Sequence, residues 1–180
     1  MKNSTIELIL ERRSVRHFQN KPISDDLIMQ IVNCGMFAPS ARDRQNWHFT
    51  VVTNPNTIEE INRLTLLGME RLGIEKEEGY HVFYHAPLVI VLSSIIEGYS
   101  EINAGCAIEN MALAAKALGL DSCIIGQTRY MYHQANIVDI NRLLKIPLGY
   151  EHDLSICFGY SEGDYPEAKP RKDNLVDYIK

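Results

Sequence analysis

The sequence predicts an α+β domain with helices packed on a central sheet, and three stretches carry that prediction. Pro87-Leu88-Val89-Ile90-Val91-Leu92 is a continuous apolar run opened by proline, as in a strand buried on both faces. Residues 103–118 are Ala-rich and apolar nearly all round, which suits a helix buried against a sheet. Leu154-Ser155-Ile156-Cys157-Phe158 supplies a final core strand.

The remaining elements follow in order. Ile6, Leu8, Ile9 and Leu10 predict a short apolar helix that runs into a basic cluster. Ser24-Asp25-Asp26 cap a second helix carrying Leu27, Ile28, Ile31 and Val32, with Gly35 as its expected end. A loop of small and polar residues, 38–46, leads to the strand Phe49-Thr50-Val51-Val52-Thr53, closed by Asn54-Pro55-Asn56. Ile58, Ile61, Leu64 and Leu67 mark a helix, after which the polar stretch 75–79 reads as a mobile helix or loop. Leu118-Gly119-Leu120 ends the long Ala-rich helix, and Cys123-Ile124-Ile125 is a short strand. Ile137, Ile140, Leu143 and Leu144 give one more helix, stopped before Pro147. Beyond Gly159 the chain turns to an extended arm, about residues 161–180, with a small apolar set at Leu175, Val176, Tyr178 and Ile179.

A chain of 180 residues is expected to form one domain, 1–180, burying roughly 70% of its unfolded surface without a metal or disulfide staple. Its 46% hydrophobic and 23% charged residues exclude a disordered class. The net charge of −5 disfavours nonspecific nucleic-acid binding, which needs many uncompensated cations. Met1-Lys2-Asn3-Ser4-Thr5 leads into charged residues without a long apolar stretch, so neither a leader nor a membrane span is expected, and the protein is read as cytoplasmic. Cys34, Cys106, Cys123 and Cys157 form no C-x-x-C pair and read as reduced core residues.

Against that acidic background stands Arg12-Arg13-Ser14-Val15-Arg16. A guanidinium fork pairs two phosphate oxygens at once and a serine hydroxyl adds a donor, so the run predicts a site for a small dianion such as a phosphate monoester. Read alone, it is more often a solvated basic turn after a helix, since short basic runs are common on surfaces.

A second landmark is Ala38-Pro39-Ser40-Ala41-Arg42-Asp43-Arg44-Gln45-Asn46-Trp47-His48-Phe49. Together "RRSVRHF", "FAPSARDRQNWHFTVV", "NAGCAIENMALAAKALGLDSCIIG" and "IPLGYEHDLSICFGYSEGDYPEAKPRK", in that order, resemble the FMN-dependent nitroreductase family along essentially the whole chain. The resemblance implies a three-layer fold with a mixed, mainly antiparallel sheet, and an intertwined homodimer whose C-terminal arm is exchanged onto the partner. It also implies bound FMN, reduced by NADH or NADPH and reoxidised by a small acceptor such as a nitroaromatic or quinone in a ping-pong cycle. Arg12, Arg13 and Ser14 are then expected on the flavin phosphate and ribityl chain. Arg16 is expected near the ring's N1 and O2 edge, as a possible electrostatic stabiliser of reduced flavin. Lys169 and Arg171 match the basic pair that closes over the phosphate, and Pro39, Ser40 and Ala41, with Gln45, match the loop lent by the other subunit. Ile124, Ile125 and Gly126 match the segment against the ring. Read without the resemblance, these are a solvated tail, a plain turn and a buried strand end.

Asp43 stands where the family more usually has asparagine, and a carboxylate there needs Arg42 or Arg44 beside it. Trp47 is assigned to the core or the dimer interface. No side chain is singled out as an acid or base, since flavin hydride transfer does not demand one. A non-enzymatic FMN-binding module and family offshoots with other flavin chemistry stay open as alternatives.

Two rival motifs are weaker. Gly159-Tyr160-Ser161-Glu162-Gly163 fits the G-x-S-x-G elbow of serine hydrolases, but Asp164-Tyr165-Pro166 follows instead of a helix and the last histidine is His152. His81 and His85 are spaced as metal ligands on a helix, but Val82 stands where a zincin has glutamate and no third ligand is evident. They read as a polar helix end before Pro87, and no metal is expected.

Overall fold

The computed structural model describes residues 4–133 and 137–180. Met1, Lys2 and Asn3 of the charged start lie outside the described residues, as do 134–136. In chain order the elements are α1 (Ser4–Glu11), α2 (Asp25–Met36), β1 (Trp47–Val52), α3 (Pro55–Arg71), β2 (Leu88–Ser94), α4 (Ser100–Ala117), β3 (Asp121–Ile125), α5 (Ile137–Leu143) and β4 (Glu151–Gly159). Short 3₁₀ segments stand at Ala41–Asp43 and Gln127–His133.

Strand alternation divides the core into three layers. The sheet runs β1-β2-β4-β3, so β2 and β4 are central and all seven residues of β2 are buried. Val89, Val91, Cys123, Ile125 and Cys157 face a cluster that includes Ile58, Ile61 and Leu64 of α3 and Ile140 of α5. Leu88, Ile90, Leu92, Ile156 and Phe158 face the opposite cluster, which includes Ile28 and Ile31 of α2 and Ala107, Ile108 and Met111 of α4. Trp47 is half-buried and packs edge-on against Phe49, with ring centroids 6.0 Å apart.

Several sequence expectations are corrected. The four strands pair antiparallel throughout rather than as a mixed sheet. Parallel pairing is confined to one isolated bridge, Ser14 to Ser122, because residues 12–18 touch the sheet only at single points. Gly35 does not end α2 but lies inside its last turn, where a Cβ would come within 2.8 Å of Met111 Cγ; it is there for close helix packing. Asn54 and Pro55 do more than close β1: the Asn54 side chain accepts from the Thr57 N–H and Pro55 opens α3. Of the four cysteines, all free, only Cys123 and Cys157 are buried, while Cys34 is exposed and Cys106 partly so. The segment around His81 and His85 is a turn, not a helix end, with Tyr84 and His85 at φ of 54° and 58°.

Candidate functional site

The end of α1 sets the geometry of the arginine run. Arg13 Nη1 donates to the Leu10 carbonyl at 2.6 Å and the Arg12 carbonyl at 2.8 Å, capping the helix end. The chain then lies against the outer edge of β3, with the Val15 N–H donating to the Ser122 carbonyl at 3.0 Å. This brings Arg12, Arg13, Ser14 and Arg16 beside the strand that carries Ile124 and Ile125. Arg12 sits 3.0 Å from Glu109 of α4. Arg12 Nε is the atom that faces this carboxylate, whereas Arg13 Nε is buried without a hydrogen-bond acceptor among the described residues. Buried donors in this state carry a desolvation penalty that an anionic oxygen would relieve.

Arg16 is exposed, its guanidinium 5.9 Å from the centre of the Tyr84 ring. A cleft of about 320 Å³ opens beside it, lined in part by Phe18, Tyr80 and Tyr84. Tyr80 donates to Gln127 Oε1 at 2.6 Å, and burial, aided by Tyr84, pushes its hydroxyl up to about 12. Burial likewise raises the Cys123 thiol, against the pull of the Arg16 charge. Ile124 and Gly126 are exposed while Ile125 is buried, so this end of β3 presents a bare edge. Nothing lies closer than 3.9 Å to a Cβ built on Gly126, so contacts within one chain do not require glycine there.

The loop that precedes β1 is built separately. The Ser40 hydroxyl accepts from the Gln45 N–H at 3.1 Å, and Arg42, Asp43 and Gln45 take left-handed φ values of 57°, 52° and 47°. Buried Asn103 accepts from the Ala41 N–H at 3.0 Å and donates to Asn46 Oδ1 at 3.3 Å. Neither arginine pairs with Asp43 as the sequence reading required: Gln45 Nε2 donates to it at 2.9 Å, while Arg44 pairs with Glu97.

The residues singled out in the sequence thus fall into three groups that one chain does not unite. Arg12 to Arg16 and Ile124 to Gly126 lie at the β3 edge, whereas Pro39, Ser40, Ala41 and Gln45 lead into β1 at the other edge. Three strand spacings separate those edges, roughly 14 Å. Lys169 and Arg171 lie on the exposed arm, which is tied down at Tyr165, where the hydroxyl donates to the Glu11 carbonyl at 3.3 Å. Sequence reasoning missed Asn103, Asn46, Tyr80 and Gln127, whose partners are 47 or more residues away and leave no local signal.

The hydrolase elbow does not form. Ser161 makes an isolated bridge to Phe18 and no helix follows it among residues 162–180. No described helix is long and apolar enough to cross a membrane.

The chain is thus of the three-layer α+β class, with a guanidinium-rich edge beside a bare strand end as its candidate site. Comparison with known proteins is more specific: residues 9–160 match the model of the nitroreductase family, and the chain belongs to that family. A relative from Methanothermobacter thermautotrophicus, provisionally named an NADH dehydrogenase/NAD(P)H nitroreductase, is 31% identical over 182 residues, covering 98% of this chain and 84% of its own. The NADPH-flavin oxidoreductase of Vibrio harveyi is 29% identical, with 94% of this chain and 70% of its own covered. The crystal structure of a Bacteroides fragilis nitroreductase with bound FMN superposes with a TM-score of 0.89 at 30% identity, over 99% of this chain and all of the other.

Proposed function

We propose that the chain is an FMN-dependent oxidoreductase that takes a hydride from NADH or NADPH and reduces a small organic acceptor, such as a nitroaromatic or quinone, in alternating half-reactions. The observation that carries this reading is the arginine run beside the exposed end of β3, in which Arg13 Nε is buried with no acceptor among the described residues. Such a run fits a phosphate monoester flanked by a planar group.

Bound FMN supplies the hydride chemistry. Arg12, Arg13 and Ser14 would hold its phosphate and ribityl chain, and Arg16 would supply positive charge that stabilises the reduced, anionic ring. Ile124, Ile125 and Gly126 orient the ring and exclude water from one side. A second copy of the chain brings Pro39, Ser40, Ala41 and Gln45, and an exchanged arm brings Lys169 and Arg171. The separation of these groups to opposite sheet edges supports such a homodimer. So do the exposed apolar side chains Ile6, Ile9, Leu10, Phe37 and Ile102, which one chain leaves uncovered. The single domain of residues 1–180 then counts as half of the working unit, and its free cysteines suit the cytoplasm.

The purified protein is expected to be yellow and to bleach with NADH or NADPH without air. Arg12→Ala should weaken FMN binding roughly 10- to 100-fold, the loss of a charge-assisted hydrogen bond, measured by flavin titration. Colourless protein that stays empty at saturating FMN overturns the proposal. Bound flavin that neither nucleotide reduces points instead to a flavin-binding module or an offshoot with other flavin chemistry.

A further inference from the structure

The turn between α3 and β2 is organised by one buried side chain, His81, which also borders the cleft beside Arg16. The Phe83 and His85 N–H groups both donate to His81 Nδ1, at 3.1 and 3.3 Å, and Nε2 lies 3.2 Å from Glu59 Oε1 of α3. Because Nδ1 accepts, the neutral ring carries its proton on Nε2 and donates it to the carboxylate. The arrangement mimics an Asx turn, with an imidazole nitrogen on Cγ in place of the amide oxygen. The Val82 N–H is fastened separately, donating to Asn62 Oδ1 at 2.9 Å.

These bonds hold a costly backbone in place. Tyr84 and His85 take left-handed φ values of 54° and 58°, which are unfavourable for non-glycine residues, and the Tyr84 N–H closes the turn on the His81 carbonyl at 3.0 Å. That conformation brings the Tyr84 ring centre to 5.9 Å from the Arg16 guanidinium and stands the ring edge-on to Tyr80 at 6.2 Å. The His85 ring lies over His81 with centroids 4.3 Å apart. A proton on Nδ1 would turn the shared acceptor into a donor, so three N–H groups would face one another and both backbone donors would lose their partner. Burial and His85 hold the His81 ring below its ordinary 6.5, against the pull of Glu59. Glu59 faces the ring from α3 and His85 from the turn itself, while Arg16, His17, Glu162 and the phenols of Tyr80 and Tyr84 share the cleft with it.

We propose that His81 is a positioning residue for the cofactor side of the site: neutral, it locks the turn that sets Tyr84 against Arg16, and protonated, it releases that turn. The link to the cofactor rests on the flavin role proposed above for Arg16, whereas the lock is a property of the unliganded chain. Since the folded state disfavours the proton, the lock is complete above the ordinary histidine range and is lost as pH falls below it.

The test is amide hydrogen exchange of the full chain without flavin, followed by FMN titration of the same proteins. Between about pH 7.5 and pH 5, the protection factors of the Phe83 and His85 amides should fall about tenfold while those of β2 hold. His81→Asn puts a non-titrating acceptor on Cγ and should keep the protection at both pH values, and His81→Ala should lose it at both. At about pH 7.5, FMN affinity should drop about tenfold in His81→Ala and return in His81→Asn; at about pH 5, the unsubstituted chain should bind about tenfold more weakly than His81→Asn. Protection that ignores pH in the unsubstituted chain, or that still falls with pH in His81→Asn, overturns the lock. Amides that respond as expected while all three chains bind FMN equally overturn the positioning role. A chain that takes up no FMN defeats the flavin reading instead, and the exchange data still decide the lock.

Discussion

His152 stands between Thr128 Oγ1 at 3.1 Å and Ser155 Oγ at 3.3 Å. Burial lowers its pKa from 6.5 to about 4. Between those values the unfolded chain holds a proton that the folded chain does not, so stability rises with pH across that window and is lost on acidification. Over the whole window the loss is roughly 3 kcal/mol. Urea unfolding at pH 7 and pH 4.5 should show the fall, and His152→Gln should flatten it. Asn103 acts differently, through neutral hydrogen bonds that fasten the loop before β1. Asn103→Ala leaves the Ala41 N–H and the Asn46 side-chain Oδ1 without this partner, and should cost about 1–3 kcal/mol in the same measurement. Neither residue was legible in the sequence as part of a network, because Thr128, Ala41 and Asn46 lie 24 or more residues from the side chains they meet.

Secondary elements were mostly legible, since hydrophobic period and capping residues act over a few positions. The buried run at β2, the Ser24 cap of α2 and the Ala-rich α4 all stand where the residues put them. Gly35 was misread as a helix end because its reason is tertiary, and Gly68 drew no reading at all. Gly68 shows it most sharply: a Cβ there would lie 1.7 Å from the Tyr130 carbonyl oxygen, in the segment that α3 packs against. Gly68→Ala must push α3 off backbone rather than a flexible side chain. It should destabilise by about 1–3 kcal/mol, the usual cost of overpacking, and lower the thermal midpoint by several degrees. An unchanged midpoint would mean that α3 does not approach this segment so closely.

At the scale of the whole molecule, the arm and the exposed apolar helices belong to one expectation. Leu175, Val176, Tyr178 and Ile179 are exposed on an arm held to the body at Tyr165, whose hydroxyl donates to the Glu11 carbonyl and whose ring centre lies 3.9 Å from Lys116 Nζ. Removing residues 166–180 leaves the sheet and its helices complete. On the proposed dimeric reading, the truncated chain should fold, shift toward monomer by light scattering, and bind FMN at least tenfold more weakly. A truncated protein that stays dimeric with unchanged flavin affinity would remove the arm, with Lys169 and Arg171, from the site.

The order of elements, the family resemblance and the basic run were decided by the sequence alone, because propensity, periodicity and motif spacing are local properties. Only the tertiary structure decided the rest: that Arg13 keeps a buried nitrogen without an acceptor among the described residues, that the cofactor-matching loops lie at opposite edges of the sheet, and that Glu59 of α3 meets His81 at 3.2 Å. Those facts come from strand order and helix packing, which juxtapose residues that no window along the chain contains.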